Sequence, residues 1–288
     1  MNKPLSNTHL LSLNHLGLIP GPDESEEDFM RRADYCLQLD RNLPELIPGK
    51  PIKLSELDTQ KSFAIQPDWM PLFFSNYKLL PWHGGCAWIF QMNEKTPTSA
   101  FFQLRQAFKH SQTYLGIYDR DELIAHELSH VGRMMYQEPK FEEFHAYQTS
   151  SSLFRRWFGP IVQSSYESMF FVLALFVVLL LDFFAILWGQ EEVFTLAIWS
   201  LLLPFSLLGY GLARLVYRHR IYGKCLQNMK QATQSHKKAC DIMCRLTDKE
   251  IQEFGSMAPD AVVDGIKEMA VQSLRGRLIG LIQRKTEG

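Results

Sequence analysis

The sequence predicts an α+β fold, mainly helical with a small β-sheet, followed by a two-helix transmembrane hairpin and a helical C-terminal tail. Three observations predict it. Two apolar runs, 169–187 and 193–213, are each long enough to cross a hydrocarbon core of about 30 Å. Aromatic-rich segments at 86–92 and 101–108 flank the turn-forming NEKTPTS, which is the pattern of paired strands. Much of the rest spaces its apolar residues as helices do. The 288 residues therefore divide into three regions, 1–165, 166–217 and 218–288.

In the first region, GPDESEEDFMRRADYCLQL (21–39) reads as a helix with acidic residues crowding its start, as the helix dipole favours. Residues 41–62 contain three prolines and read as irregular. After the strand pair, TYLGIY (113–118) is a candidate third strand. A helix is expected from about Asp121 to Tyr136, capped by Asp119 or Asp121. Pro139 suits the first turn of another helix, running through KFEEFHAYQTSSSLFRRWF.

The second region holds the two spans. The first carries one charge, Asp182, and the second carries none but contains Pro204, where a kink is expected. Arg155 and Arg156 precede the pair; Arg214, Arg218, Arg220 and Lys224 follow its uncharged stretch. The connection GQEE is acidic. Positive flanks remain cytoplasmic, so both termini are expected on the cytoplasmic side of the membrane. In the third region, 223–246 and 260–282 read as amphipathic helices, and TDKE (247–250) has the form of a capping box.

Composition narrows the function. The net charge of −1 provides no basic field for nucleic acid. Five scattered cysteines with no CxxC pair argue against a disulfide framework.

The chemistry lies in DELIAHELSHVGR (121–133). Positions i and i+4 share one helix face, so His126 and His130 can turn two imidazoles towards one metal ion. Glu127 lies about 100° round the helix, beside that ion, where a general base belongs. By composition, HExxH arises by chance in roughly one such chain in fifty, so context must decide. A third ligand is needed, and FEEFHAY (141–147) offers Glu142, Glu143 and His145 on the next helix. Arg133 is placed to pair with Glu142 and hold the two helices in register, or else is solvated.

HExxH followed by a glutamate on the next helix, in an E-x-x-A-(D/N/Y)-like pattern, resembles the gluzincin class of zinc metallopeptidases. The chain is also similar to bacterial gluzincin-like proteins that carry HExxHxxR and then EExxAY. The local likeness covers about residues 115–150, and 81–105 is compatible with strands on the substrate side. The resemblance implies a zincin-like domain over 1–165, with Zn²⁺ held by His126, His130 and Glu143; Glu142 is the rival third ligand. It places Tyr147 where such proteins often hold an aspartate that orients the first histidine. It further implies that Glu127 acts as general base on a zinc-bound water, and that an extended peptide substrate adds to the edge of the strand pair. Tyr147, His145 and Tyr136 are candidate donors to the developing oxyanion. The chain is thus expected to be an integral membrane zinc metallopeptidase, of the bacterial inner membrane, acting on a peptide or protein. The tail is expected on the same side and is a candidate cover for the cleft. The alternative is a non-enzymatic membrane protein of structural or interaction type, with a vestigial or coincidental HExxH.

Overall fold

A computed structural model describes residues 4–39, 48–54, 65–189 and 191–284. Most of the irregular stretch expected over 41–62 lies outside the described residues. The fold is mixed α+β and mostly helical, with small sheets.

Helices α1 (Asn7–His15) and α2 (Glu26–Leu37) open the chain. The Ser25 side chain caps α2 by accepting from the Asp28 amide, so the helix starts there and not at residue 21. Four strands follow: β1 (Ile52–Lys53), β2 (Pro71–Phe74), β3 (Gly85–Phe90) and β4 (Ser99–Leu104). Their order in the sheet is β1-β2-β4-β3. The expected antiparallel pair is β3 with β4, and Gly85 sits opposite Leu104. Strand β2 was not expected; it runs parallel to β4. Three of its four residues are buried, so PLFF shows no alternation that would mark a strand. The candidate strand at 113–118 is instead a small hairpin, β5 (Thr113–Tyr114) with β6 (Tyr118–Asp119).

Helix α3 (Arg120–Gly132) carries HExxH. Asp119 caps it by accepting from the amides of Asp121 and Glu122. The single helix expected from Pro139 onwards is two short ones, α4 (Glu142–Tyr147) and α5 (Leu153–Phe158). Pro139 lies in the non-helical turn before α4. Ser150 and Ser152 accept from nearby backbone amides and interrupt the helix between them. The amide groups entering α4 are satisfied from far along the chain: the Asp248 carboxylate accepts from Lys140 N at 2.9 Å and Phe141 N at 3.2 Å.

Two helices, over 166–188 and 191–233, are long and apolar enough to cross a membrane. The first, α6 (Ser165–Trp188), ends at Gly189, whose φ of 60° is the left-handed conformation that closes many helices. The second is α7 (Glu191–Ser200) and α8 (Leu202–Thr233), broken at Leu201. Pro204 explains the break, since it has no N–H for the carbonyl of Ser200. At the other end of the hairpin, Arg214 of α8 forms a bidentate ion pair with Glu167 of α6, at 2.6 and 2.7 Å.

Helix α8 runs straight out of the apolar stretch into the tail. There α9 (His236–Met243), α10 (Asp248–Ser256), α11 (Pro259–Gln272) and α12 (Leu274–Arg284) follow. The capping box at Thr247 and Glu250 is present. The helices expected over 223–246 and 260–282 are each interrupted, at Gln234–Ser235 and at the extended Ser273. The tail shares one apolar core with the N-terminal region: Phe29, Leu128 and Phe144 belong to the same buried cluster as Met229, Ile242 and Ile279.

Candidate metal centre

Helices α3 and α4 lie side by side, and each delivers its part of the site. His126 Nε2 and His130 Nε2 are 3.4 Å apart. One oxygen of Glu143 lies 3.7 Å from His126 Nε2, and the other lies 3.7 Å from His130 Nε2. His126, His130 and Glu143 are the group whose donor atoms all fall within 4.8 Å of one another. Tetrahedral zinc with bonds of about 2.0–2.1 Å spaces its ligands by about 3.3 Å along each edge. The residues present therefore fit such an ion in both donor chemistry and spacing.

Glu142 faces the other nitrogen. Its Oε1 lies 3.0 Å from His130 Nδ1, and its Oε2 accepts from Arg133 Nε at 2.7 Å. The histidine Nδ1–H then points at Glu142, so that the lone pair freed when Nε2 loses its proton faces Glu143 and His126. Arg133 is buried and donates through Nη1 to the carbonyls of Cys244 and Leu246, both at 2.9 Å. Arg133 thus joins the centre to the tail.

Glu127 lies beside the cluster. Its Oε2 accepts from the Ala87 amide of β3 at 2.9 Å, which fixes the carboxylate against the sheet edge. Burial raises its pKa; His130 and the Ala87 hydrogen bond pull it back, and Glu143 adds to the rise. Burial also raises Glu143, against the opposing charge of His130. Burial and the charge of His130 push His126 down to about 3, so it is a neutral imidazole. For His130, burial lowers the pKa, but the Glu142 hydrogen bond and the charges of Glu127, Glu142 and Glu143 outweigh it and carry it up to about 9.

The remaining candidates separate. Tyr147 packs edge-on against His126, with ring centroids 4.8 Å apart. A β-carbon on Gly159 would come within 2.3 Å of the Tyr147 ring, so that glycine makes room for the ring. His145 is buried on the far side of α4, with Nδ1 3.2 Å from the Tyr222 hydroxyl. It is neither a ligand nor positioned as an oxyanion donor. Tyr136 is buried and donates to the Arg245 carbonyl at 3.0 Å, so it serves the tail contact instead.

A cleft of about 640 Å³ opens over His126, Glu127 and Tyr147. Its walls include His83 and Gly84 just before β3, Gly85 at its start, and Phe154 and Phe158 of α5. Every residue that lines it falls between 83 and 161, so among the described residues the tail does not cover the cleft. It braces α3 and α4 instead, through Arg133, Tyr136 and Asp248. Sequence reasoning missed this bracing, because buried arginines and a cap supplied from more than a hundred residues away leave no local pattern.

The chain matches no family model, no curated protein and no solved structure.

Proposed function

We propose that the chain is a membrane-anchored zinc-dependent peptidase. One observation carries the reading: two histidines and one glutamate, brought from two helices, converge within 4.8 Å of one another, and one of them, His126, lines an open cleft together with Glu127. His126, His130 and Glu143 would hold the ion, and Glu142 and Arg133 would orient His130. When bound, zinc supplies a Lewis acid that polarises a carbonyl and makes water more acidic. Glu127, anchored through Oε2, accepts a proton from the attacking water and passes it to the leaving amine. The Tyr147 hydroxyl is the donor proposed for the oxyanion. Strand β3 ends the order β1-β2-β4-β3, and an extended peptide can pair along its edge beside Glu127.

The test uses the full chain in detergent, because the N-terminal region and the tail share a core. Elemental analysis should find one zinc per chain, and His130→Ala and Glu143→Ala should abolish it. Glu127→Gln should keep the zinc and lose peptide hydrolysis. A zinc-free parent would favour the non-enzymatic alternative, and a hydrolytically active Glu127→Gln would remove Glu127 as the base.

A further inference from the structure

Helix α5 leaves its apolar side uncovered. Leu153 is 69% exposed, Phe154 71%, Trp157 54% and Phe158 44%. At 100° per residue these four form a continuous arc of about 140°. Arg155 and Arg156 lie outside that arc. Arg155 is turned into the protein, where it pairs with Glu122 at 3.0 Å and donates to the carbonyl of Ile117. An apolar arc this exposed on so short a helix needs a partner.

The fold fixes the height of this helix. The Glu167–Arg214 pair joins α6 to α8 at the polar end of the apolar hairpin, and Arg214 also donates to the Ile161 carbonyl at 3.0 Å, three residues after α5. Trp157 stacks on His219 of α8, with centroids 4.4 Å apart. His219 lies five residues beyond Arg214, about 7.5 Å further along the helix. That is the depth of the headgroup layer, which takes up the difference between the 30 Å core and the 40–45 Å bilayer. A groove of about 530 Å³ between α5 and α8 has Leu153, Trp157 and Val216 on its walls, together with Arg156 and Arg220. Apolar walls with two guanidinium groups at this height suit acyl chains beneath anionic phosphates.

We infer that α5 lies flat in the headgroup layer of a phospholipid bilayer, with its apolar arc on the lipid. The occupant is lipid, because the arc continues into the spans and sits level with their polar border. A consequence, which rests on the peptidase reading, follows from Phe154 and Phe158, since both also line the cleft over His126 and Glu127. The mouth of the cleft is then set at the bilayer surface. The substrate it fits is a polypeptide segment emerging from the membrane.

The test has two arms, both with the full chain in vesicles of phosphatidylcholine and phosphatidylglycerol. The first takes the fluorescence difference between the parent and Trp157→Phe. That difference should be quenched by lipids brominated near the headgroup, less by lipids brominated at the chain end, and hardly by aqueous iodide. Quenching by iodide alone would overturn the proposal. So would shielding from both quenchers, which would mean that protein, a second copy included, covers α5. The second arm compares one peptide sequence free in solution and tethered to a lipid. At equal bulk concentration the parent should cleave the tethered form roughly a hundredfold faster, the gain expected of raised local concentration. Leu153→Gln with Trp157→Gln should lose most of that preference and retain the free-peptide rate, its fold checked by thermal melting. Equal rates on both peptides in the parent would overturn the substrate class. If neither peptide is cleaved, the peptidase reading fails, and the quenching arm still decides the position of α5.

Discussion

Replacing Glu142 by Gln separates a ligand from its support. The carboxylate makes two charge-assisted contacts, one to His130 Nδ1 at 3.0 Å and one to Arg133 Nε at 2.7 Å. Glutamine keeps the size but has one acceptor oxygen. If that oxygen accepts from His130, the amide NH₂ meets Arg133 donor to donor. If it accepts from Arg133, His130 loses its partner. Loss of such a support to a metal-ligating histidine weakens metal affinity by about 10–100-fold, or about 1.4–2.8 kcal/mol. Breaking a buried pair costs about 3–5 kcal/mol; with the Glu142 side chain 22% exposed, the loss of stability should fall at or below the bottom of that range. Glu143→Gln should differ, because it removes the proposed third ligand while leaving Arg133 paired. Competition with a chromophoric zinc chelator measures the affinities, and thermal melting measures the stabilities. The expected result is zinc held 10–100-fold more weakly in Glu142→Gln, with a lowered melting point, and zinc lost in Glu143→Gln at nearly parental stability. The opposite pattern, with zinc lost only from Glu142→Gln, would exchange the two roles and refute the reasoning.

Three further predictions follow from the same geometry. Against burial, its acidic neighbours hold His130 up at about 9, while burial and the charge of His130 hold His126 down at about 3, so zinc binding at neutral pH should release one proton from His130. Apparent zinc affinity should therefore rise about tenfold per pH unit up to about pH 9, and calorimetry in buffers of different ionisation enthalpy should count close to one released proton; a count of zero would contradict it. Gly159→Ala should push the Tyr147 ring off His126, keep the zinc and, if the hydroxyl serves the oxyanion, lower kcat by about 10²-fold; an unchanged kcat would remove Tyr147 from that role. Tyr136→Phe deletes a buried bond to the Arg245 carbonyl and should cost about 1 kcal/mol in melting experiments with the hydrolysis rate intact; a large loss of rate would return Tyr136 to the chemistry.

What could be read from the sequence was local and periodic. The HExxH helix needs only the i,i+4 geometry of α3, and the two long apolar helices need only length and composition. The pairing of β3 with β4 announced itself through aromatic runs around a turn. The sequence favoured Glu143 but kept Glu142 as its rival, because adjacent residues on a helix differ by only 100°; in the structure Glu142 lies on Nδ1 of His130, and Glu143 lies near the Nε2 atoms of both histidines. Strand β2 escaped because a buried parallel strand lacks alternation. The Asp248 cap and the Arg133 contacts to Cys244 and Leu246 escaped because they join residues more than a hundred positions apart.

Those long-range contacts have an electrostatic reason. Glu127, Glu142 and Glu143 crowd around two imidazoles in a partly buried space, and like charges so placed repel. Arg133 meets this with one fixed positive charge, but it is itself buried and needs acceptors beyond Glu142. The carbonyls at the end of α9 provide them, and Asp248 closes the start of α4 a few residues on. The tail thereby balances one acid of the three. Glu127 and Glu143 stay raised by burial, a condition that a bound dication would relieve at the point where the two Nε2 atoms and the Glu143 carboxylate converge. The charge that holds Glu142 in place is thus itself held by residues that follow the apolar hairpin in sequence.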